Sequence, residues 1–583
     1  MIRPNRARLA AATLPLLGLV TFGSLTTCLV LLASSARALA PADFTATGTQ
    51  HAVATVQPIA TNAAMEVLAE GGNAVDAAIC AALTLGVVDN HNSGIGGGCL
   101  ILILSPDGEL IAIDGRETAP AAADHDMFLV DGKADPDLSQ VGPLAVATPG
   151  ALAAYAMALD TAGSKPLARL LQAGIAAARD GFPLDTNYAN RLKGASEVLA
   201  KFPGSKAQLL DAEGKAHPAG YVLKQPDLAA TYEGIAKDGL DYFYRGPLAE
   251  RVGAWMAENG GVLTAKDFAG YEPKRREPIV SKYRGLTIVG FPPPSSGGIH
   301  IAQMLGMLEP FDLAAAFKKE RHDGIHLVGE AMKLAFADRA YWLGDSDFVD
   351  VPRGLIDAAY LKTLSEKIDP KKATEAPAQG EPPQWRQDLF GRHTTHIAAA
   401  DAQGWWVGIT TTVNTGFGSK VIVPGTGLVL NNEMDDFSAQ PGAPNAFGLV
   451  GMENNSVAPG KRPLSSMSPT IVLDLEGNPL MTVGAAGGPK IITQVVLAII
   501  GVVDGGMTLA EAVAQPRWHH QWRPDVLSFE KQTPIIDVLP LAERGHAVGM
   551  LSSGGITQGI IREESGELTA VRDPRVPGKA AAR

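Results

Sequence analysis

The sequence predicts an α+β layered fold, because helix-period segments and strand–turn–strand segments occur in mixed order along one chain. Helical spacing dominates from about residue 146 to 345, in "GALAAYAMAL", "PLARLLQAGIAAARDG" and "GIHLVGEAMKLAFADRAYWLGD". Beyond residue 394 the character changes to β-branched strand pairs. With 46% hydrophobic and 19% charged residues over 583 positions, the chain has ample material for a core, which excludes general disorder.

The first segment is of another kind. Arg3, Arg6 and Arg8 precede an apolar run from about Leu9 to Ala33, and small residues follow in "SSARALA", the layout of an export signal over residues 1–38. The run approaches the length of a membrane span, so a retained anchor is the alternative. Removing the segment takes away four arginines and no acid, so the formal charge moves from -12 to -16. Such an acidic product is a poor partner for nucleic acid, whose phosphates demand cations. The remaining cysteines, Cys80 and Cys99, could pair in an oxidising compartment, but Cys80 lies in the apolar helical pattern "AVDAAICAALTLGVV", which favours a buried thiol.

Next come a helix, a Gly71-Gly72-Asn73 break, a second apolar helix, a glycine-rich turn and a hairpin turning at "SPDGE". Residues 371–388 are polar and Pro-rich, and a flexible tail is expected there. "THIAAADAQGWWVGITTTVN" then reads as a hairpin around Ala402-Gln403-Gly404, while "GLVLNNEM", "SPTIVLDLEGNPLMTVGA" and "TQGIIREESGELTAVRD" repeat the strand theme. "KIITQVVLAIIGVVDGG" and "TLAEAVAQPRW" read as helices.

Several chemistries are missing. There is no G-x-S-x-G elbow and no Walker-type phosphate loop, and "GIGGGC" fails the dinucleotide pattern at its last position. His322, His326 and Glu330 share one helical face that a metal could use, although the H-E-x-x-H base is lacking and a structural role is the favoured reading. His519 and His520 cannot point the same way on a strand, so they also read as structural. No metal and no cofactor is expected.

"HTTHIAAA", residues 393–400, raises a different chemistry at the border between the loose segment and a strand. A threonine hydroxyl needs a base, and a free N-terminal amine is one that activates threonine. Its pKa of about 7.7 to 8.0 leaves far more neutral amine near pH 7 than lysine, at about 10.4, can offer. A chain cut just before a threonine thus gains a base on the nucleophile's own residue.

"HTTHIAAADAQGWWVGITTTVNTGFGS", "GLVLNNEMDDFS", "GKRPLSSMSPTIV", "GAAGGPKIITQVV" and "PRWHHQW" together resemble the γ-glutamyltransferases of the N-terminal-nucleophile hydrolase superfamily. Upstream, "GGNAVDAAI", "HNSGIGGGCL", "GRETAP", "PPPSSGGIH" and "EAMKLAFADRAYWLGD" resemble the same family in the same order, so the likeness runs from about residue 48 to 575.

That resemblance implies a four-layer αββα sandwich formed by two subunits of one self-cleaved precursor. The scissile bond would be His393-Thr394, giving a large subunit of residues 39–393 and a small one of 394–583. Thr394 would be the nucleophile, with Thr412 holding its hydroxyl. Gly487 and Gly488 would offer backbone N–H groups to the oxyanion, worth about 3 kcal/mol per donor. Arg116, Ser465 and Ser466 would bind the α-carboxylate of a γ-glutamyl donor such as glutathione, and Asn414, Glu433 and Asp436 its ammonium.

Two departures bear on specificity: Pro489 removes a backbone donor after the glycine pair, and Phe447 stands in the lid segment where tyrosine is often found. The alternatives are a related glutaryl or cephalosporin acylase and an uncleaved binding protein of the same fold. The expected location is periplasmic or secreted. A membrane is involved only if the first segment is retained.

Overall fold

A computed structural model describes residues 41–380, 395–551 and 553–583. The signal over residues 1–38 and the His393-Thr394 bond lie outside the described residues.

The strands that build the body are β1 (Thr45–Gly48), β2 (His51–Thr55), β3 (Gly98–Leu104), β4 (Leu110–Gly115), β5 (Lys274–Arg276), β6 (Ile279–Tyr283), β7 (Leu286–Gly290), β8 (His396–Asp401), β9 (Trp406–Thr412), β10 (Thr470–Leu473), β11 (Pro479–Ala486), β12 (Ile556–Arg562), β13 (Leu568–Val571) and β14 (Lys579–Ala582). They form two seven-stranded sheets, ordered β14-β2-β8-β9-β3-β4-β5 and β1-β13-β12-β11-β10-β7-β6, antiparallel throughout.

The period-two pattern divides each strand of the first sheet between two cores. Val53, Ile101, Ile103, Ile111, Ala399, Val407 and Ile409 face helices α1 (Pro58–Ala69), α2 (Ala74–Val88) and α3 (Ala151–Ala162). Ala52, Ala54, Leu100, Leu102, Ala112, Ala398 and Ala400 face inward and meet Val289, Ile471, Ile560 and Ala570 of the second sheet. The outer face of that sheet is covered by α4 (Gly297–Leu308), α5 (Arg321–Trp342) and α6 (Lys490–Val503). The result is the expected αββα sandwich. The many alanines of β2 and β8 let the sheets approach closely, since small side chains fill a thin interlayer.

The helix, break, helix reading of the first elements matches the structure, with Asn73 capping α2 through a reciprocal box with Asp76. Cys80 and Cys99 are buried free thiols. Three expectations need correction. Residues 274–290, expected to continue the helical half, form β5, β6 and β7, because Arg284-Gly285 makes a left-handed turn between runs too short to bury a helix face. "GLVLNNEM" is no strand: Asn431 and Asn432 turn their amides onto neighbouring backbone, and Glu433–Asp436 closes a 3-10 turn. Residues 371–380, expected to be loose, are tied along α5. Glu330 accepts from the Thr374 N–H at 3.0 Å, Lys333 donates to the Thr374 carbonyl at 2.6 Å, and Asp338 accepts from Gly380 N–H at 2.7 Å. Residues 381–388 lie outside the described residues.

Candidate active site

β8 opens the candidate site. Its register is set by β9, where His396 lies opposite Thr410, and the Thr411 N–H donates to the Thr395 carbonyl at 2.5 Å. The residue after the expected nucleophile is therefore fixed, although Thr394 and His393 themselves lie outside the described residues. Thr395 is buried at the wall of a cavity of about 310 Å3 that Asn414, Phe447, Gly487, Gly488 and Lys490 also line. The two expected oxyanion glycines thus share a cavity with the start of the small-subunit segment.

Both glycines are needed for conformational reasons. Gly487 has φ 137° and Gly488 has φ 62°, the region that side chains avoid, and a Cβ on Gly488 would collide with the Phe447 ring. Phe447 therefore packs directly on the turn expected to present the backbone donors. Lys490, the first residue of α6, is half-buried, and burial lowers its pKa.

Thr412 ends β9, and its Oγ1 accepts from the Asn414 N–H at 2.7 Å. Asn414 adopts φ 76°, and its amide donates to the Asn432 carbonyl at 2.9 Å. The chain then returns through Asn431, whose side chain accepts from the Glu433 N–H at 3.0 Å and starts the turn that carries both acids.

Arg116, at the end of β4, is fully buried among three carboxylates. It donates to Glu117 at 2.7 Å and to Asp436 at 3.0 Å, and it pairs with Glu433. Burial works against the guanidinium's charge, but Glu117, Glu433 and Asp436 outweigh it and raise the pKa. The residues expected to bind the carboxylate and the ammonium of a glutamyl group's α-carbon are thus brought together as one ion cluster. Asp436 also accepts from Asn445 at 3.2 Å, and Asn445 in turn accepts from the Phe447 and Leu449 N–H groups, so the segment expected to form a lid is tied to the acidic turn.

Ser465 and Ser466 are buried next to a second guanidinium, that of Arg339 on α5. Arg339 donates through Nε to Ser296 Oγ at 3.0 Å, and through one terminal nitrogen to the Ser465 carbonyl at 3.3 Å and Ser466 Oγ at 3.4 Å. Among the described residues no carboxylate oxygen comes within 4.0 Å of it. Burial lowers its pKa to about 10, against a pull from Asp436.

Sequence reasoning missed Glu117, Asn445 and Arg339. The first adjoins Arg116 in "GRETAP", and the last lies in a helical run whose residues 324–340 are all buried. Of the candidate metal face, His326 and Glu330 do meet, with His546, but His322 sits beside Asp323 instead. Lys333 lies 3.0 Å from Glu330, and His326 bonds His546 at 2.7 Å, so the acid already faces a cation and the imidazoles face each other. His519 and His520 are buried and hydrogen-bonded to Thr493 and Asp525, as structural residues would be.

This fold, with a buried Arg–acid cluster and a glycine pair beside an emerging strand, defines an N-terminal-nucleophile hydrolase. The chain belongs to the Gamma-glutamyltranspeptidase family, whose pattern it matches over residues 60–583. It is 43% identical over 529 residues to the glutathione hydrolase proenzyme of Escherichia coli, covering 90% of each chain. It is 38% identical to the Acylase ACY 1 proenzyme of a Pseudomonas species, covering 87% of this chain and 89% of that one. Among solved structures, a cephalosporin acylase from Bacillus halodurans superposes with a TM-score of 0.82 at 28% identity, covering 92% of this chain and 97% of that one.

Proposed function

We propose that this protein is an exported, self-processing γ-glutamyltransferase that cleaves the γ-glutamyl amide bond of glutathione and related compounds. Thr394 would cut the chain after His393, and subunits 39–393 and 394–583 would remain paired. In turnover the Thr394 hydroxyl attacks the γ-carbonyl, its proton passing to the α-amine of the same residue. The tetrahedral oxyanion meets the Gly487 and Gly488 N–H groups, and the amine returns the proton to the departing nitrogen as the γ-glutamyl ester forms. An amino acid, a peptide or water then resolves the ester and regenerates the hydroxyl. Among the described residues no helix is long and apolar enough to cross a membrane. The periplasmic or secreted location rests on the segment of residues 1–38.

One observation supports the choice of donor: the buried acids Glu433 and Asp436 converge on Arg116, and Asn414, which lines the glycine-lined cavity, bonds the Asn432 carbonyl next to them. A glutaryl group has no ammonium to offer them, whereas a γ-glutamyl group does. Leaving such groups unmatched costs on the order of 2 to 5 kcal/mol. The likeness to acylases keeps the glutaryl reading as the second one. Two measurements test the proposal. A denaturing gel should give two bands for the wild type and a single full-length band for Thr394→Ala; a single band for the wild type refutes self-cleavage. Turnover of γ-glutamyl anilide should exceed that of glutaryl anilide, and the reverse preference would assign the protein to the acylases.

A further inference from the structure

The glycine-lined cavity is separate from the residues expected to hold the glutamyl group. None of Arg116, Glu433, Asp436, Ser465 and Ser466 lines it, whereas Thr395, the Gly487–Gly488 turn, Lys490, Asp89 and Arg191 do. With an acyl group in the donor residues and its oxygen at the glycine N–H groups, this space lies beyond the carbonyl. There the departing nitrogen leaves and an incoming amine enters.

Lys490 stands at that point. Pro489 has no N–H, so Lys490 carries the first side-chain donor after the glycine pair. Its chain folds back over the turn, and a Cβ built on Gly487 would lie 3.7 Å from Lys490 Cε. Among the described residues its ammonium makes no ion pair and no hydrogen bond. Burial lowers its pKa, and no acid acts against that. The other cation of the cavity, Arg191, is exposed and already pulls on Asp89, whose carboxyl is raised by burial to about 7. Lys490 is thus the cation of this cavity that no acid engages among the described residues.

The chemistry of an amine acceptor fits that demand. In an α-amino acid the carboxylate is bonded to the same carbon as the amine. When the amine reaches an acyl carbon beside Gly487, the carboxylate comes within reach of a side chain lying over Gly487. A charged donor and a charged acceptor then meet in a partly water-excluded space, where such bonds are strong.

We propose that Lys490 is the acceptor-binding residue of the transfer step, pairing its ammonium with the α-carboxylate of an incoming amino acid. This rests on the proposed γ-glutamyl ester at Thr394. The neutral acceptor amine attacks the ester carbonyl and a C–N bond forms. The bond to Thr394 Oγ breaks, and the amine's proton passes through the Thr394 α-amine to that oxygen. Water has no carboxylate to offer, so Lys490 favours transfer over hydrolysis and selects among acceptors.

Methionine and methionine amide as acceptors isolate the carboxylate, with γ-glutamyl anilide as donor. Transfer and hydrolysis products come from the same ester, so any effect on ester formation cancels in their ratio. Lys490→Met should lower that ratio about tenfold or more for methionine and shift it by less than about threefold for the amide, the weight of one hydrogen bond to a charged group. Lys490→Arg should keep the methionine ratio within about threefold of wild type, because either cation can meet a carboxylate. Equal losses on both acceptors would make Lys490 a structural residue, and an unchanged methionine ratio would overturn the proposal. If Lys490→Met does not accumulate as folded, cleaved protein, Lys490→Gln carries the same comparison, and there too only a loss confined to methionine supports the pairing. A wild type that passes its acyl group to water alone would overturn the subsite while leaving self-cleavage and donor choice standing. A wild type that prefers the glutaryl donor would defeat the γ-glutamyl reading alone, because glutaryl anilide then reports the same acceptor ratio.

Discussion

Arg116 and Arg339 are both sealed from solvent and both stand among the expected substrate ligands, yet the chain surrounds them in opposite ways. Arg116 meets three carboxylates through its terminal nitrogens, so that cluster carries a surplus of negative charge around one cation. Arg339 meets hydroxyls and a carbonyl directly, and Asp436 acts on its charge only from farther away. The contrast teaches that two arginines of equal burial are held in different ways, one by direct ion pairs and the other chiefly by hydroxyls and a carbonyl.

Substitution should expose that difference, first in stability. Arg116→Met strands three buried acids, and losing one partner of a buried ionic group typically costs 3 to 5 kcal/mol. Chemical denaturation should show a deficit of that order, shrinking as pH falls and the stranded acids take up protons. A deficit under 1 kcal/mol would mean that the cluster relaxes and that Arg116 is not its keystone.

The next effect is on substrate choice. Asp436→Asn removes a charge that faces Arg116 at 3.0 Å and should lower kcat/KM for the γ-glutamyl donor on the order of 100-fold, while sparing the glutaryl donor. Matching losses on both donors would erase the proposed division between an ammonium side and a carboxylate side.

A third measurement shows that the contrast does not depend on pH in the working range. Arg116 is held above its ordinary pKa and Arg339 near 10, so both stay charged from pH 4 to 8. The acid limb of stability belongs in part to buried histidines such as His300, whose pKa burial pushes down to about 3. The unfolded chain binds this proton below about pH 6.5 and the folded one does not, so stability is complete above that pH and is lost as pH falls toward 3. His300→Gln should flatten the acid limb by up to about 1.4 kcal/mol per pH unit. Denaturation curves between pH 6 and 4 that parallel the wild type would show that His300 is protonated while folded.

The smallest expected effect is at the lid. Asn445→Ala removes the amide that ties the Phe447 segment to Asp436, a neutral-to-charged bond worth roughly 1.5 to 3 kcal/mol in full and less at 3.2 Å. About a threefold to tenfold rise in hydrolysis relative to transfer is expected from looser closure, read by product ratios with a fixed acceptor. An unchanged ratio would separate the lid from the acidic turn.

Much of the layered fold was legible because strand period, helix period and turn residues agree locally: "SPDGE" turns between β3 and β4, and Asn73 starts α2. Residues 274–290 misled because short strands inside a helical half have no periodicity long enough to register. The segment 371–380 misled for another reason. Its order comes from Glu330, Lys333 and Asp338, more than forty positions upstream, and no local composition reports such partners. The same holds for the site. Arg116, Glu433 and Asp436 were readable as a set from their motifs, but that Arg116 would pair directly with its own acids, and that Arg339 would sit against Ser296, Ser465 and Ser466, is a fact of three-dimensional neighbourhood.

The order of strands in the two sheets has a last consequence. β8 and β9 lie between β2 and β3, and β10 to β13 lie between β1 and β7, so apart from the edge strand β14 the strands after residue 394 occupy the middle of both sheets and are flanked by those before it. An uncut chain assembles this interleaving as a first-order process, at a rate that dilution cannot touch. Once cut after His393, the two pieces would have to find each other as separate molecules, each with raw sheet edges exposed, and reassembly would become second-order. The mature protein would then owe its lifetime to the height of its unfolding barrier, because the path by which it was made would no longer exist.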